Sequence, residues 1–115
     1  MTVRESVLEL EVQVFVFREG ESWIAQGLNY DLTGHGQSLN ASVENFWLTL
    51  LTQIVVDVKH GDEPLANVKP APKYYWQKLQ QERARRYKDK KTFSLPEEVP
   101  PAYQIAAEAN MAIAA

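Results

Sequence analysis

The chain of 115 residues has no cysteine, only two histidines and no long hydrophobic run. Without cysteine there is no disulfide framework, thiolate zinc site or cysteine nucleophile, and two histidines do not favour a histidine-rich metal site. A membrane-spanning helix needs about 20 mostly apolar residues, which this sequence does not supply. Met1 to Glu11 carries three glutamates and no apolar core, unlike a secretory signal. We therefore expect a soluble cytoplasmic protein with no membrane partner, no metal and no cofactor.

Catalytic motifs are also missing. There is no G-x-S-x-G sequence and no Walker A loop, and Gly34-His35-Gly36 lacks both the Lys-Ser/Thr pair of a phosphate-binding loop and the three-glycine spacing of a dinucleotide site. A chain that is 45% hydrophobic builds a core but is too short for a two-domain dinucleotide enzyme. The sequence therefore predicts a protein that is not an enzyme.

Two pairs of residues are candidates for chemistry. Asp31 and His35 form either an acid/base pair or an unremarkable turn residue followed by a half-exposed strand residue. Asp57 and His60 lie one helical turn apart, but no third metal ligand accompanies them. Neither pair predicts a catalytic centre on its own.

The net charge of −3 is unevenly distributed. Residues 1–72 contain 4 basic and 10 acidic residues, residues 73–91 contain 8 basic and 2 acidic, and residues 92–115 contain no basic and 3 acidic. An acidic front end disfavours nucleic acid and favours a basic partner. The middle block is the stretch suited to phosphates or to an acidic protein surface.

The first third of the chain has the period of β-strands. Val7 to Arg18 alternates apolar and polar residues, which is typical of a half-buried strand. Gly20 marks a hairpin turn because glycine adopts positive φ readily. Ser22 to Leu28 and Leu32 to Gly36 follow as two further strands, and short connections predict antiparallel pairing.

The period then changes to that of a helix. A long amphipathic helix is predicted from about Leu39 to His60, with Ser38 as N-cap and Gly61 at its end. Its outer face is polar but uncharged, which indicates either a subunit contact or a face that simply tolerates water. The face comprises Ser42, Asn45, Thr49, Thr52 and Gln53.

The remaining sequence predicts a less regular arm. Prolines make Pro64 to Pro72 a linker, and a second helix is predicted over Lys73 to Tyr87. Phe93 to Pro101 is expected to be extended. Tyr103 to Ala115 is rich in alanine and is predicted to be helical.

The stretch from Trp23 to Leu32, followed by Gly36-Gln37-Ser38-Leu39 and then Phe46, resembles the HicB-like antitoxin family. The likeness covers roughly residues 8–58, about half the chain. The family usually has Glu-Ala after the capping leucine, whereas Asn40 follows here. The chain therefore lacks the glutamate that the family has in its capping box.

The resemblance implies an α+β fold of partial ribonuclease-H-like type, with a three-stranded antiparallel sheet packed on one long helix (β-β-β-α) and a further edge strand. We expect this domain over residues 1–62, followed over 63–115 by a proline-rich linker, a basic helix and a tail that together form a C-terminal helical arm for docking or oligomerisation. Family members neutralise a small basic ribonuclease toxin by covering it, many repress their own operon, and they form dimers or tetramers. No DNA-binding module is recognisable after Pro64, so an orphan member is expected, and no catalytic residue carries over.

The sequence therefore predicts a protein-binding domain that contacts a basic toxin through an acidic sheet surface. Its predicted contact residues are Glu9, Glu11, Glu19, Glu21, Tyr30, Asp31 and His35. An orphan oligomeric domain with no toxin, and a nucleic-acid binder, are the alternatives. The basic residues that would contact nucleic acid or an acidic partner are Arg83, Arg85, Arg86, Lys88, Lys90 and Lys91. Self-association is expected through Tyr74, Tyr75 and Trp76.

Overall fold

A computed structural model describes residues 6–95 and 103–114 of the chain. Five strands and two helices follow one another along the sequence. They are β1 (Ser6–Glu19), β2 (Ser22–Gly27), β3 (Thr33–Gly36), α1 (Leu39–Lys59), α2 (Lys73–Gln81), β4 (Ala84–Ser94) and β5 (Tyr103–Ala114). All five strands form one sheet in the order β3-β2-β1-β5-β4. β5 runs parallel to β1, and the other neighbours are antiparallel.

The expected three-stranded antiparallel sheet on a single helix is therefore wrong. The sheet has five strands and is mixed, and two helices accompany it. The additional strands join at the edge of β1 that faces away from β2. The pairing of β1 with β5 extends from Ser6 and Tyr103 to Val16 and Ile113.

The C-terminal helical arm is also corrected. The second helix ends at Gln81 instead of Tyr87, and β4 starts at Ala84. The predicted alanine-rich helix is strand β5. High helix propensity is overridden here by packing, because every second side chain of β5 is buried between the sheet and α1. These side chains are Ile105, Ala107, Ala109, Met111 and Ile113.

The N-terminal elements agree with the sequence patterns. The β1–β2 hairpin turns at Gly20, which has a φ of +63°, and α1 begins after Ser38, whose side chain accepts a hydrogen bond from the Ala41 amide at 3.1 Å. Gly61 has a φ of +78° just beyond the helix end. Hairpin turn, N-cap and helix end are confirmed.

The main core lies between α1 and one face of the sheet. Alternate residues of β1 point to this face and meet the apolar stripe of α1. Phe46, Leu50 and Ile54 of that stripe are fully buried. The predicted apolar face of α1 is thus the face that packs.

A smaller core lies on the opposite face of the sheet. Phe15 and Phe17 project there from β1, and α2 covers them with Tyr75, Trp76 and Leu79. Because α2 has only 9 residues, it covers the hairpin end of this face and leaves the other end open. The candidate site lies at that uncovered end of the sheet face.

The edge strand β3 is held tightly against α1. A Cβ at Gly34 would collide with the backbone of Ser42 and Phe46, so the helix approaches the strand closely only because this residue is glycine. Asn45 donates its side-chain amide to the His35 carbonyl at 2.6 Å, and Thr49 donates its hydroxyl to the Thr33 carbonyl at 3.2 Å. Two residues of the uncharged face of α1 therefore satisfy the outer carbonyls of β3 within one chain, whereas Ser42, which the sequence predicts on this outer face, is fully buried.

Candidate protein-binding site

The open end of the second sheet face carries a groove of about 560 Å³. The register of β1, β5 and β4 places one side chain from each strand in successive rows across this surface. One row contains Glu11, Glu108 and Lys90, and the next contains Gln13, Asn110 and Lys88. Polar side chains are expected here because no helix covers them.

Glu108 neutralises the basic side of the groove. Its carboxylate lies 3.2 Å from the Lys88 ammonium and 3.9 Å from that of Lys90. Both lysine side chains are largely exposed, with 68% and 77% of their surface in solvent. Pairs this exposed add little to stability, but they reduce the positive charge at the groove.

Glu9 and Glu11 supply the acidic side. Neither forms an ion pair within residues 6–95 and 103–114. The nearest polar contact of Glu11 is the Asn110 side-chain amide, 3.4 Å from its carboxylate. Two uncompensated carboxylates therefore stand on the exposed N-terminal half of β1.

The backbone of this half of β1 is open on one side. Asn29 ends the ladder with β2, since its side chain accepts from the Gln13 amide at 2.9 Å and donates to the Glu11 carbonyl at 2.8 Å. Strand geometry directs the backbone groups of Val7 and Glu9 to the same side. Within the described residues these groups have no backbone partner there. The open backbone edge therefore lies on the same segment of β1 as the unpaired carboxylates of Glu9 and Glu11.

The other two acidic residues of the predicted surface lie elsewhere. Glu19 ends β1 and Glu21 follows it in the hairpin turn. Ten residues of strand separate Glu9 from Glu19, or about 33 Å along the chain. Phe15 and Phe17, covered by α2, lie between them. The structure brings Glu9 and Glu11 together, but not the four glutamates.

Tyr30, Asp31 and His35 lie around β3 at the other side of the sheet. Asp31 accepts a hydrogen bond from the buried Gln26 amide at 2.8 Å, and its own backbone amide donates to the Lys69 carbonyl at 2.7 Å. His35 is exposed on β3, and no hydrogen bond joins its side chain to Asp31 where the chain is described. Asp31 thus has the contacts of a turn residue.

The basic block spans both faces of the edge strand β4. Its register directs Arg86, Lys88 and Lys90 to the groove face, whereas Arg85 and Lys91 alternate to the α1 face. Arg83 precedes the strand and is exposed. The block is therefore a flat strand instead of the projecting helix that the sequence indicated.

Tyr87 of β4 has a shifted pKa. Partial burial raises the pKa of its hydroxyl above the usual value, the neighbouring Asp89 carboxylate raises it further, and Arg85 opposes both. The phenol is thus held neutral over a wider pH range.

The aromatic residues of α2 have different environments. Tyr75 and Trp76 pack on the second core, and Tyr75 lies 6.2 Å from the Phe17 ring centroid. Tyr74 remains 60% exposed. Oligomerisation through these three residues stays a prediction, with Tyr74 as the side chain that is available for contact.

Asp57 and His60 do not face one another as ligands. The buried Asp57 carboxylate accepts from the Leu65 backbone amide at 2.8 Å and from the Gln53 side-chain amide at 2.9 Å. A ring nitrogen of His60 lies 2.9 Å from the Val56 carbonyl. Asp57 therefore fixes the turn after α1, where Leu65 adopts a positive φ of 63°.

Sequence reasoning missed Glu108, Asn110 and Asn29. Glu108 and Asn110 alternate with the buried residues of β5, and this period of two was the available signal. The role of Asn29 as a substitute for a β2 backbone group has no local signature in the sequence.

Comparisons with family models, curated proteins and solved structures find no match to this chain. Among the described residues, no helix is both long and apolar enough to cross a membrane. The same residues contain no group of three or more metal-ligating side chains.

Proposed function

We propose that the chain is a non-enzymatic, antitoxin-like domain of the cytoplasm that binds and covers a small basic ribonuclease toxin. The N-terminal half of β1 is the proposed contact surface. The resemblance to HicB-like proteins suggests the class of partner. The observation that carries the site is the coincidence of an open β1 edge with the unpaired carboxylates of Glu9 and Glu11.

An open strand edge binds an extended segment by continuing the ladder of backbone hydrogen bonds. Here the first free positions lie directly beyond Asn29, around Glu9 and Val7. Val7 is 57% exposed and offers an apolar contact beside the two carboxylates. A partner strand with lysine or arginine at alternate positions matches both features.

The charges are expected to act mainly on association. Oppositely charged surfaces accelerate encounter, and this acceleration weakens as salt screens them. Glu108 contributes less than Glu9 and Glu11, because Lys88 and Lys90 already compensate it. The proposal therefore assigns the attraction to β1 and not to the whole groove.

The test is recovery of the partner from native cells with a tagged chain, using matched charge variants. Glu9→Gln with Glu11→Gln removes two charges at the site, and Glu19→Gln with Glu21→Gln removes two at the hairpin. We expect a small basic protein to copurify with the parent and the hairpin variant and to be largely lost from the β1 variant. Purified chain should inhibit its ribonuclease activity in the same order.

Equal recovery by both variants would overturn the assignment to β1. Recovery of no basic protein, or of one without ribonuclease activity, would overturn the antitoxin-like function. Circular dichroism of each variant verifies that the four exposed substitutions leave the fold intact.

An oligomeric regulatory domain without a toxin is the second candidate. The ring of Tyr74, which is 60% exposed beside the packed Tyr75 and Trp76, favours it. If it is correct, light scattering gives a dimer or tetramer at micromolar concentration, and Tyr74→Ser shifts the chain towards 13 kDa.

A further inference from the structure

The two edge strands of the sheet differ in how their outer backbone groups are satisfied. At β3, the carbonyls of Thr33 and His35 accept hydrogen bonds from Thr49 and Asn45 of α1. At β4, the outer backbone groups have no hydrogen-bond partner within residues 6–95 and 103–114. One edge is closed by the helix, and an edge of 11 residues is open.

An apolar groove of about 260 Å³ runs beside this open edge, between α1 and β4. Trp47, Leu48 and Leu51 line it from the helix, and Phe93 lines it from the strand. Trp47 and Phe93 pack with ring centroids 5.9 Å apart and form a rigid wall. Leu48 is 61% exposed, more than the other large apolar side chains of the described chain. An exposed leucine beside an open strand edge is typical of an interaction site, because a bound partner would remove this apolar surface from water.

The charge of β4 indicates which kind of segment can bind along its open edge. The strand contains five basic residues and one acidic residue, Asp89. Two copies of β4 would place like charges opposite one another, which disfavours pairing. A lysine-rich edge commonly prevents such self-pairing. An acidic strand would instead place opposite charges beside the basic residues of β4.

We propose that β4 and the adjoining groove bind an extended acidic segment of a second protein by strand addition. Alternate side chains of that segment are apolar and enter the groove between Leu48 and Phe93. The intervening carboxylates point to the other face of the sheet, where Arg86, Lys88 and Lys90 of β4 lie. This site is separated from the β1 surface by β5 and is independent of the partner proposed there.

The observations favour a protein segment over nucleic acid. On the sheet face away from α1, Glu108 already pairs with Lys88 and Lys90. On the α1 face, Lys91 borders a groove whose wall is apolar and whose far side carries Glu44. A phosphate backbone would meet Glu44 and gain nothing from the apolar wall, whereas an alternating peptide packs its apolar side chains on that wall and directs its carboxylates to the other face.

The probe is a short synthetic peptide that alternates glutamate with leucine, phenylalanine and valine. Binding to the full chain is measured by fluorescence anisotropy, and its site by amide NMR. We expect shifts confined to β4 and the facing side of α1, and slower hydrogen exchange of the outer β4 amides. A peptide methylated on alternate backbone nitrogens should lose most of its affinity, because it cannot continue the ladder.

Variants of exposed residues separate the apolar contribution to peptide binding from the electrostatic one. Leu48→Asn should weaken binding about tenfold by removing the apolar contact. Lys90→Glu, on the face that the carboxylates of the segment meet, should weaken it about fivefold at low salt, and less as salt rises. Glu44→Gln should strengthen it about twofold for the opposite electrostatic reason. The matched controls are Val56→Asn and Lys59→Glu, further along α1 and outside the groove, which should bind like the parent.

Several results would overturn the proposal. These are no binding of the acidic peptide, equal binding by the groove and control variants, tighter binding of a matched lysine peptide, or stronger binding of a single-stranded oligonucleotide. Protection of the β4 amides without peptide, growing with protein concentration, would assign the edge to a second copy instead.

Discussion

The indole nitrogen of Trp47 donates a hydrogen bond to the Asp89 carboxylate at 3.1 Å. This bond joins the middle of α1 to β4, the edge strand on the other side of the sheet from β3. Trp47 is only 4% exposed, so both its large ring and its indole nitrogen are buried. A buried tryptophan needs such an acceptor for its N–H group.

Trp47→Ala is expected to lower the free energy of unfolding by about 3–5 kcal/mol, as is Phe46→Ala, because each creates a large cavity in the main core. Asp89→Ala, which only removes the acceptor, should cost about 1 kcal/mol. Urea unfolding followed by circular dichroism measures all three. A Trp47→Ala protein that melts within a degree or two of the parent would contradict the packing.

Gly34→Ala is expected to cost at least about 3 kcal/mol, the upper range for overpacking. The added Cβ would meet the Ser42 carbonyl and the Phe46 backbone, neither of which moves without moving α1. Gly20→Ala is the control, since nothing lies within 4 Å of its Cβ and its only strain is the positive φ. That variant should lose about 1 kcal/mol. Thermal unfolding that ranks the two substitutions in reverse would refute the close approach of α1 to β3.

Asn29→Ala should lower stability by about 0.5–1.5 kcal/mol and speed hydrogen exchange at the Gln13 amide. The cost is modest because water reaches the exposed backbone groups that the side chain leaves. Asn40→Ala, at an exposed position in the first turn of α1, serves as the control. Unchanged exchange at Gln13 would show that the side chain does not end the ladder.

Tyr87 is expected to ionise at a higher pH than free tyrosine. Burial comes first among the causes, then Asp89, so Asp89→Asn should lower the pKa of Tyr87. A raised pKa in the folded state stabilises the fold below about pH 10, and this contribution is lost as the pH rises through the folded value. Absorbance titration of the parent against Tyr87→Phe isolates the signal. A difference curve centred at or below the usual value would contradict the prediction.

The elements up to α1 were predictable because each has a strong local signal. The alternation of Val12, Val14 and Val16 and the helical spacing of Phe46, Leu50 and Ile54 correspond to buried faces. Ser38, Gly20 and Gly61 fix a cap and two turns through their own chemistry. Periodicity and turn chemistry sufficed there.

The C-terminal third was mispredicted for a physical reason. Alanine favours helix where the backbone is free, but β5 lies between two strands, and its alternate side chains are buried in the main core. The alternation of Ala107, Ala109 and Met111 with Glu108 and Asn110 was a better indicator than helix propensity. β4 carried a weaker signal, because its charged residues occupy both faces.

The candidate sites were predictable only as residue types. The sequence singled out Glu9, Glu11 and Lys91, but their grouping depends on pairings between distant segments. Glu108 acquires its role only through the register that places it opposite Glu11 and Lys90. No local pattern encodes such a register.

The placement of β5 between β1 and β4 has a consequence for how the protein is made. Ser6 pairs with Tyr103, so the ladder that fills the centre of the sheet joins opposite ends of the described chain. Folding dominated by such distant contacts is slow, since a long loop must close first. A ribosome therefore extrudes the hairpin and α1 long before β5 exists, and until then the edge of β1 that pairs with β5 stays open.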